Sequence, residues 1–166
     1  MGNCNLTYEE LNTTLIQIEA ILNSRPLTAL SSDPEDLTPL TPGHFIIGRP
    51  LTSLPVEDYN DHSAHRLTRY QRIEQLRQHF WTRWSKEYIC ELQERVKWRS
   101  SKDALKLNSL VVIKEDNLPP LKWKLGRVVR LHPGTDEISR VADIKTSCGV
   151  VRRAFSKLCP LIEVDG

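Results

Sequence analysis

Leu11, Leu15, Ile18 and Leu22 recur at spacings of four, three and four, one apolar stripe on a 3.6-residue period, which predicts a helix. Thr7 stands three residues before Glu10, as in a capping box where each side chain bonds the other's free backbone N–H, so the helix is expected to begin there. Pro26 disfavours helical backbone at Arg25 and stops the helix near Asn23 or Ser24. A longer pattern without Pro or Gly runs from Leu67 to about Trp98. Within it Tyr70, Ile73, Leu76, Phe80, Trp84, Tyr88, Leu92 and Val96 recur every three or four residues and predict one long helix.

After Lys102 the period becomes that of extended chain. Leu110–Ile113 and Trp123–Leu131 read as strands, separated by a turn at Asn117, Leu118, Pro119 and Pro120. His132 to Asp136 is a strong turn signal; Arg140–Thr146 and Val150–Ala154 then form a hairpin across Ser147, Cys148 and Gly149, and Leu161–Val164 adds a short last strand. Four long strands and one short one predict a small, strongly twisted five-stranded barrel of the SH3-like kind.

The chain between the two helices behaves differently. Residues 26–65 hold six of the ten prolines and few periodic apolar positions. A structureless connection of this length is uncommon in a compact domain, so it is either a linker or a strap packed onto something else. Leu40, Phe45, Ile46, Ile47 and Leu51 favour the strap, expected to bury these side chains. The expected architecture is therefore α+β: an N-terminal helix in 1–25, a Pro-rich strap in 26–65, a long amphipathic basic helix in 66–102 and a barrel in 103–164.

Composition narrows the class. At 39% hydrophobic and 27% charged residues the chain is ordinary for a folded protein. It has no apolar run long enough to span a membrane, and its first residues lack a basic stretch followed by an apolar one. Cys4, Cys90, Cys148 and Cys159 form no C-x-x-C pair, so reduced thiols in an intracellular protein are expected; the expected location is the nucleus. The net charge of +2 hides an asymmetry: residues 1–65 carry two Lys/Arg against nine Asp/Glu, and residues 66–166 carry twenty-one against twelve. Either the two halves attract each other within one fold, or the basic half meets a polyanion.

The phrases Ile18-Glu19-Ala20-Ile21-Leu22-Asn23-Ser24-Arg25-Pro26-Leu27 and Leu40-Thr41-Pro42-Gly43-His44-Phe45-Ile46-Ile47-Gly48-Arg49-Pro50-Leu51 resemble the polyprotein of Bel-Pao-type LTR retrotransposons. Phe80 to Tyr88, Leu92 to Trp98, Leu125 to Val128 and Arg153 to Leu161 resemble the uncharacterised domain that follows the integrase core in those polyproteins. The resemblance spans about residues 6–162 in the expected order. It implies that the first helix is the last helix of an RNase H-like core, whose metal-binding carboxylates would precede Met1, and that Glu19 is not among them. It also implies that the terminal barrel is similar to the DNA-binding domain of retroviral integrases.

The residues themselves offer little for catalysis. Glu9, Glu10 and Glu19 share one short helix, and Asp33, Glu35 and Asp36 lie in a Pro-rich loop, which is not the convergence a two-metal site needs. No Ser or Cys sits in a nucleophile elbow, and His44, His62, His65 and His79 lack the spacing and cysteine partners of a zinc site. No enzyme activity, cofactor, metal or small-molecule substrate is expected.

Trp81, Trp84 and Tyr88 with Arg77, Arg83 and Lys86 make either core packing or a base-stacking platform. The barrel's cations give the better nucleic-acid case: with Lys122 nearby, Lys124, Arg127, Arg130, Arg140, Lys145, Arg152, Arg153 and Lys157 are expected to contact phosphates without sequence preference. The expected role is a non-catalytic DNA-binding module of an integrase region, with the integrase core or sister subunits as further partners. The alternative is a protein-interaction or oligomerisation module whose barrel takes a peptide, a histone tail or a sister subunit.

Overall fold

The capping box at Thr7 forms as the spacing demands: Thr7 N–H donates to Glu10 Oε2 at 2.8 Å and Glu10 N–H to Thr7 Oγ1 at 3.4 Å. It starts helix α1, Tyr8–Asn23, which closes at Ser24 ahead of Pro26. The computed structural model describes residues 6–99, 105–134 and 139–161, the side chains of 94–99 excepted. Short strands β1 (Thr28–Ala29) and β2 (Pro39–Leu40) pair antiparallel, and helix α2 (Pro42–Ile47) follows, ended by Gly48 at φ 71°. Helix α3 runs through Arg69–Arg99 in one piece, with Thr68 and Gln71 exchanging backbone-to-side-chain bonds at its start. The expected extension to residue 102 lies outside the described residues.

The buried faces of these helices differ from the apolar stripes. Helix α1 buries Thr14 and Ile21 and turns a polar side to α3, where Gln17 Nε2 donates to Glu74 Oε1 at 2.8 Å and Arg69 pairs with Glu10 at 2.6 Å. Leu11 and Leu15 stay 47% and 55% exposed. On the first half of α3 the buried side chains include Glu74, Gln75, Arg77 and Gln78. Glu74 is held by Gln17 and Arg77, and the reason for the other three is the strap. An extended segment without a ladder of its own must satisfy its buried backbone groups elsewhere. Gln75 Nε2 donates to the carbonyls of Tyr59 and His62 at 2.7 Å each. Gln78 takes the Tyr59 N–H at 2.8 Å and donates to Glu57 O at 2.7 Å, and Arg72 Nε donates to Ala64 O at 2.9 Å.

The strap is thus fixed by polar capture, which corrects the expectation that its apolar residues anchor it. Leu40 and Leu51 are half-buried, but Phe45, Ile46 and Ile47 are 75%, 61% and 46% exposed.

The C-terminal strands are β3 (Leu110–Ile113), β4 (Leu125–Pro133), β5 (Ser139–Thr146), β6 (Gly149–Ala154) and β7 (Leu158–Pro160), in one antiparallel sheet of order β6-β5-β4-β3-β7. The last strand precedes the expected Leu161–Val164, of which 162–164 lie outside the described residues. Strand β3 is buried on both sides. Leu110 and Val112 pack with Tyr88, Ile89 and Leu92 of α3, while Val111 and Ile113 join Val128, Ala142, Ile144 and Leu158 on the other face.

The sheet is α+β in context as expected, but it is not a closed barrel. Only the 3-10 turn Phe155–Lys157 links β6 to β7, the two edge strands. Three residues span at most about 14 Å, less than the roughly 19 Å across five flat strands, so the sheet must curl. No ladder joins β6 to β7, however: β7 is three residues long, includes Pro160 without an N–H, and pairs with β3 alone.

Gly126 fits where no side chain does: a Cβ there would lie 2.5 Å from Ile144 Cγ2 and 2.6 Å from Lys145 O. Gly126→Ala should force β4 from β5 and destabilise the fold by about 1–3 kcal/mol or more, read as a lower urea midpoint against the parent.

Candidate nucleic-acid interface

The eight cations expected to meet phosphates do not form one surface. Arg127 is 3% exposed. Its position opposite Leu110 puts it on the sheet face toward α3, under the β1–β2 hairpin loop. Its Nε donates to Asp36 O at 2.8 Å, and its two terminal nitrogens donate to Asn108 O at 2.9 Å and Ser31 O at 2.5 Å. Three carbonyls at fixed angles suit a planar guanidinium fork and not an ammonium. Arg127 is a clamp on residues 31–36, contrary to the expectation of an exposed side chain.

Lys145, in register with Arg127, forms an ion pair with Glu35 of the same loop. Lys124 pairs with Glu115. Arg152 holds Asp143 by two bonds, at 2.7 and 3.2 Å, and His132 Nε2 meets the same carboxylate at 2.8 Å. Arg130 lies opposite Asp143 in the ladder and is exposed, as is Arg140 on β5. Half-buried Arg153 donates to Arg152 O at 3.0 Å. Lys157 is exposed at the β6–β7 turn.

The structure does bring some lysines together. Ile113 N–H donates to Lys124 O and Lys114 N–H donates to Lys157 O, both at 2.8 Å, so at one end of the sheet Lys114 lies opposite Lys157 while Lys124 lies one position back, opposite Ile113. Side chains alternate along a strand, so Lys114 and Lys157 share one face while Lys124 lies on the other. Exposed Lys122 precedes Lys124 on the β3–β4 connection. Among the described residues Lys114, Lys122 and Lys157 have no ion-pair partner, while Lys86 and Lys124 beside them are paired with Asp116 and Glu115. A shallow groove between α3 and this connection, floored by Trp81, Ile89 and Trp123, is edged by Lys86, Lys114 and Lys124.

Lys114 was missed by the sequence reading because it follows an apolar strand with acids after it; only the pairing of β3 with β7 places it beside Lys157. The aromatic residues of α3 serve packing. Trp123 meets Trp81, Trp84 and Tyr88 edge-on, with centroids 4.8, 6.0 and 5.6 Å apart. Of the cations interleaved with them, Arg77 pairs with buried Glu74 at 2.6 Å, Arg83 with Glu87 at 2.9 Å and Lys86 with Asp116 at 3.6 Å. Among the described residues no three His, Cys, Asp or Glu side chains converge as metal ligands, and no helix is long and apolar enough to cross a membrane. Burial pushes the Cys159 thiol up to about 12.

Arg152 first, and then His132, hold the Asp143 carboxyl well below the usual carboxylate range. With its folded pKa below an unfolded value of about 3.9, the stability from this cluster is present at neutral pH and is lost as pH falls below about 4. Asp143→Asn should therefore melt below the parent at pH 7, and the gap should narrow in acid; a gap constant down to pH about 2 would contradict this account. Arg127→Met should cost about 2–4 kcal/mol in urea unfolding, because three carbonyls lose their donor, and Arg127→Lys should restore only part of it.

A family model described as "Family of unknown function (DUF5641)" matches residues 68–161, from the start of α3 to the end of β7. No curated protein and no solved structure matches the chain.

Proposed function

The chain belongs to the DUF5641 family of unknown function, and from that premise we propose that it is a non-catalytic module of a Bel-Pao-type retroelement integrase region that binds nucleic-acid phosphates without sequence preference. One observation carries the reading: Lys114 and Lys157 lie opposite each other across β3 and β7, and with exposed Lys122 they have no ion-pair partner among the described residues. Ammonium groups on a strand end act as point charges toward a polyanion and recognise no base. The resemblance of the phrases around Pro26 and Pro42 to that polyprotein supports the retroelement context, with DNA as the polyanion. Arg127 takes no part in the contact, because it is occupied by the loop.

A second reading, a protein-interaction or oligomerisation module, is favoured by the apolar side chains left exposed on α1 and α2. The two are separable. Duplexes of unrelated sequence should bind the parent with similar affinity, falling with salt by a log–log slope of about −0.9 per phosphate contacted. Lys114→Gln, Lys122→Gln and Lys157→Gln together should weaken binding to every duplex and flatten the slope by two to three contacts, or roughly 2–3 units. Absence of binding by the parent near 50 mM salt, or an unchanged slope in the triple variant, would reject these lysines as a nucleic-acid site.

A further inference from the structure

The loop between β1 and β2 carries three acids, Asp33, Glu35 and Asp36, and lies over cations of the other half of the chain. Two kinds of contact hold it, and they differ in strength. Buried Arg127 donates to the carbonyls of Ser31 and Asp36, and Asn108 Nδ2 donates to Ser32 O at 3.4 Å, so the loop backbone is fixed at both ends. The Glu35–Lys145 pair is made by side chains alone, 73% and 37% exposed. An exposed pair of this kind contributes little to stability, so Glu35 can release Lys145 while the loop stays in place.

Strand register fixes what Lys145 stands beside. Lys145 and Asp143 are two residues apart on β5, hence on one face and about 7 Å from each other. Asp143 lies between Arg130 of β4 and Arg152 of β6 in the ladder, so Arg130, Lys145 and Arg152 share that face. Asp143 is held by Arg152 and His132, which leaves exposed Arg130 without an ion-pair partner among the described residues. Of the three cations, Lys145 is the one whose anion comes from outside the sheet.

We propose that this face is a second contact for nucleic-acid phosphates and that the loop competes with them from within the chain, the Glu35 carboxylate occupying on Lys145 the place that a phosphate takes. The seated carboxylate establishes that the Lys145 ammonium is presented to an anion approaching from above the sheet. A polyanion offers several phosphates at once, and those meeting Arg130 and Arg152 bring a further one within reach of Lys145, where it displaces a single exposed carboxylate. The inference rests on the nucleic-acid reading but not on Lys114, Lys122 and Lys157 as the site.

Anisotropy of a labelled duplex of about 20 base pairs, titrated with the whole chain at several salt concentrations, tests the competition. Glu35→Gln should tighten binding about three- to tenfold near 50 mM salt and steepen the log–log slope by about 0.9, the value of one phosphate contact. In a Lys145→Gln background the same change should give no gain, and Glu9→Gln on α1, which alters the net charge equally, should leave the slope unchanged; far-ultraviolet spectra monitor the fold of each variant. No gain from Glu35→Gln in a parent that binds would overturn the proposal and leave the nucleic-acid reading standing. A gain that persists without Lys145, or that Glu9→Gln matches, would reduce the effect to net charge and overturn it as well. Absence of binding by both the parent and Glu35→Gln would remove the nucleic-acid reading and the inference together.

Discussion

Everything in this chain is set relative to α3 by one aromatic joint. Trp123, on the connection from β3 to β4, sits among Trp81, Trp84 and Tyr88 of α3. Ring burial alone would hold the sheet against the helix without fixing its orientation. The polar edges supply the direction. Trp81 Nε1–H donates to Leu118 O at 2.7 Å, Tyr88 OH to Pro26 O at 2.6 Å and Trp123 Nε1–H to Ser24 Oγ at 3.3 Å. Each bond reaches a different segment: the β3–β4 connection, the start of the strap and the end of α1. With its C-terminal end tied there and Glu10 tied to Arg69 at the other, α1 has one rotational setting, and its apolar seam is left outside by that setting.

Periodicity in the sequence revealed where helices and strands lie, because spacing of apolar residues is a local property. Which face each helix buries was not legible, and the reason is visible at Gln75 and Gln78. Hydropathy assigns such residues to solvent, yet both are buried because the strap's backbone requires donors and acceptors. The same requirement reverses the strap: its polar backbone is held while Phe45 and Ile46 project outward. Barrel closure was illegible for another reason, since it turns on whether a three-residue strand at Leu158–Pro160 pairs on one side or two.

The candidate site was legible as composition and illegible as placement. Lys124 and Lys157 were read from the sequence, while their neighbour Lys114 needed the β3–β7 ladder. Alternation along β4 placed Arg127 on a face without saying what lies over that face, and a loop from the acidic half of the chain lies there.

That loop explains how the charge asymmetry is used. The acidic first half and basic second half do meet: Glu10 takes Arg69, Glu35 takes Lys145, and the carbonyls of Ser31 and Asp36 take Arg127. Asp36 has its own carboxyl lowered, first by its bonds to Thr38 and to a lesser extent by the nearby Arg127. Two cations of the second half are thereby neutralised by acids of the first, in exposed pairs that add little stability but fix which surfaces touch. Lys114, Lys122 and Lys157 stay without an ion-pair partner among the described residues, since the nearby Glu115 and Asp116 pair with Lys124 and Lys86. Under the proposed reading a polyanion meets separate cations and not one basic face, so its grip should be weaker and more local than the net charge of the second half implies.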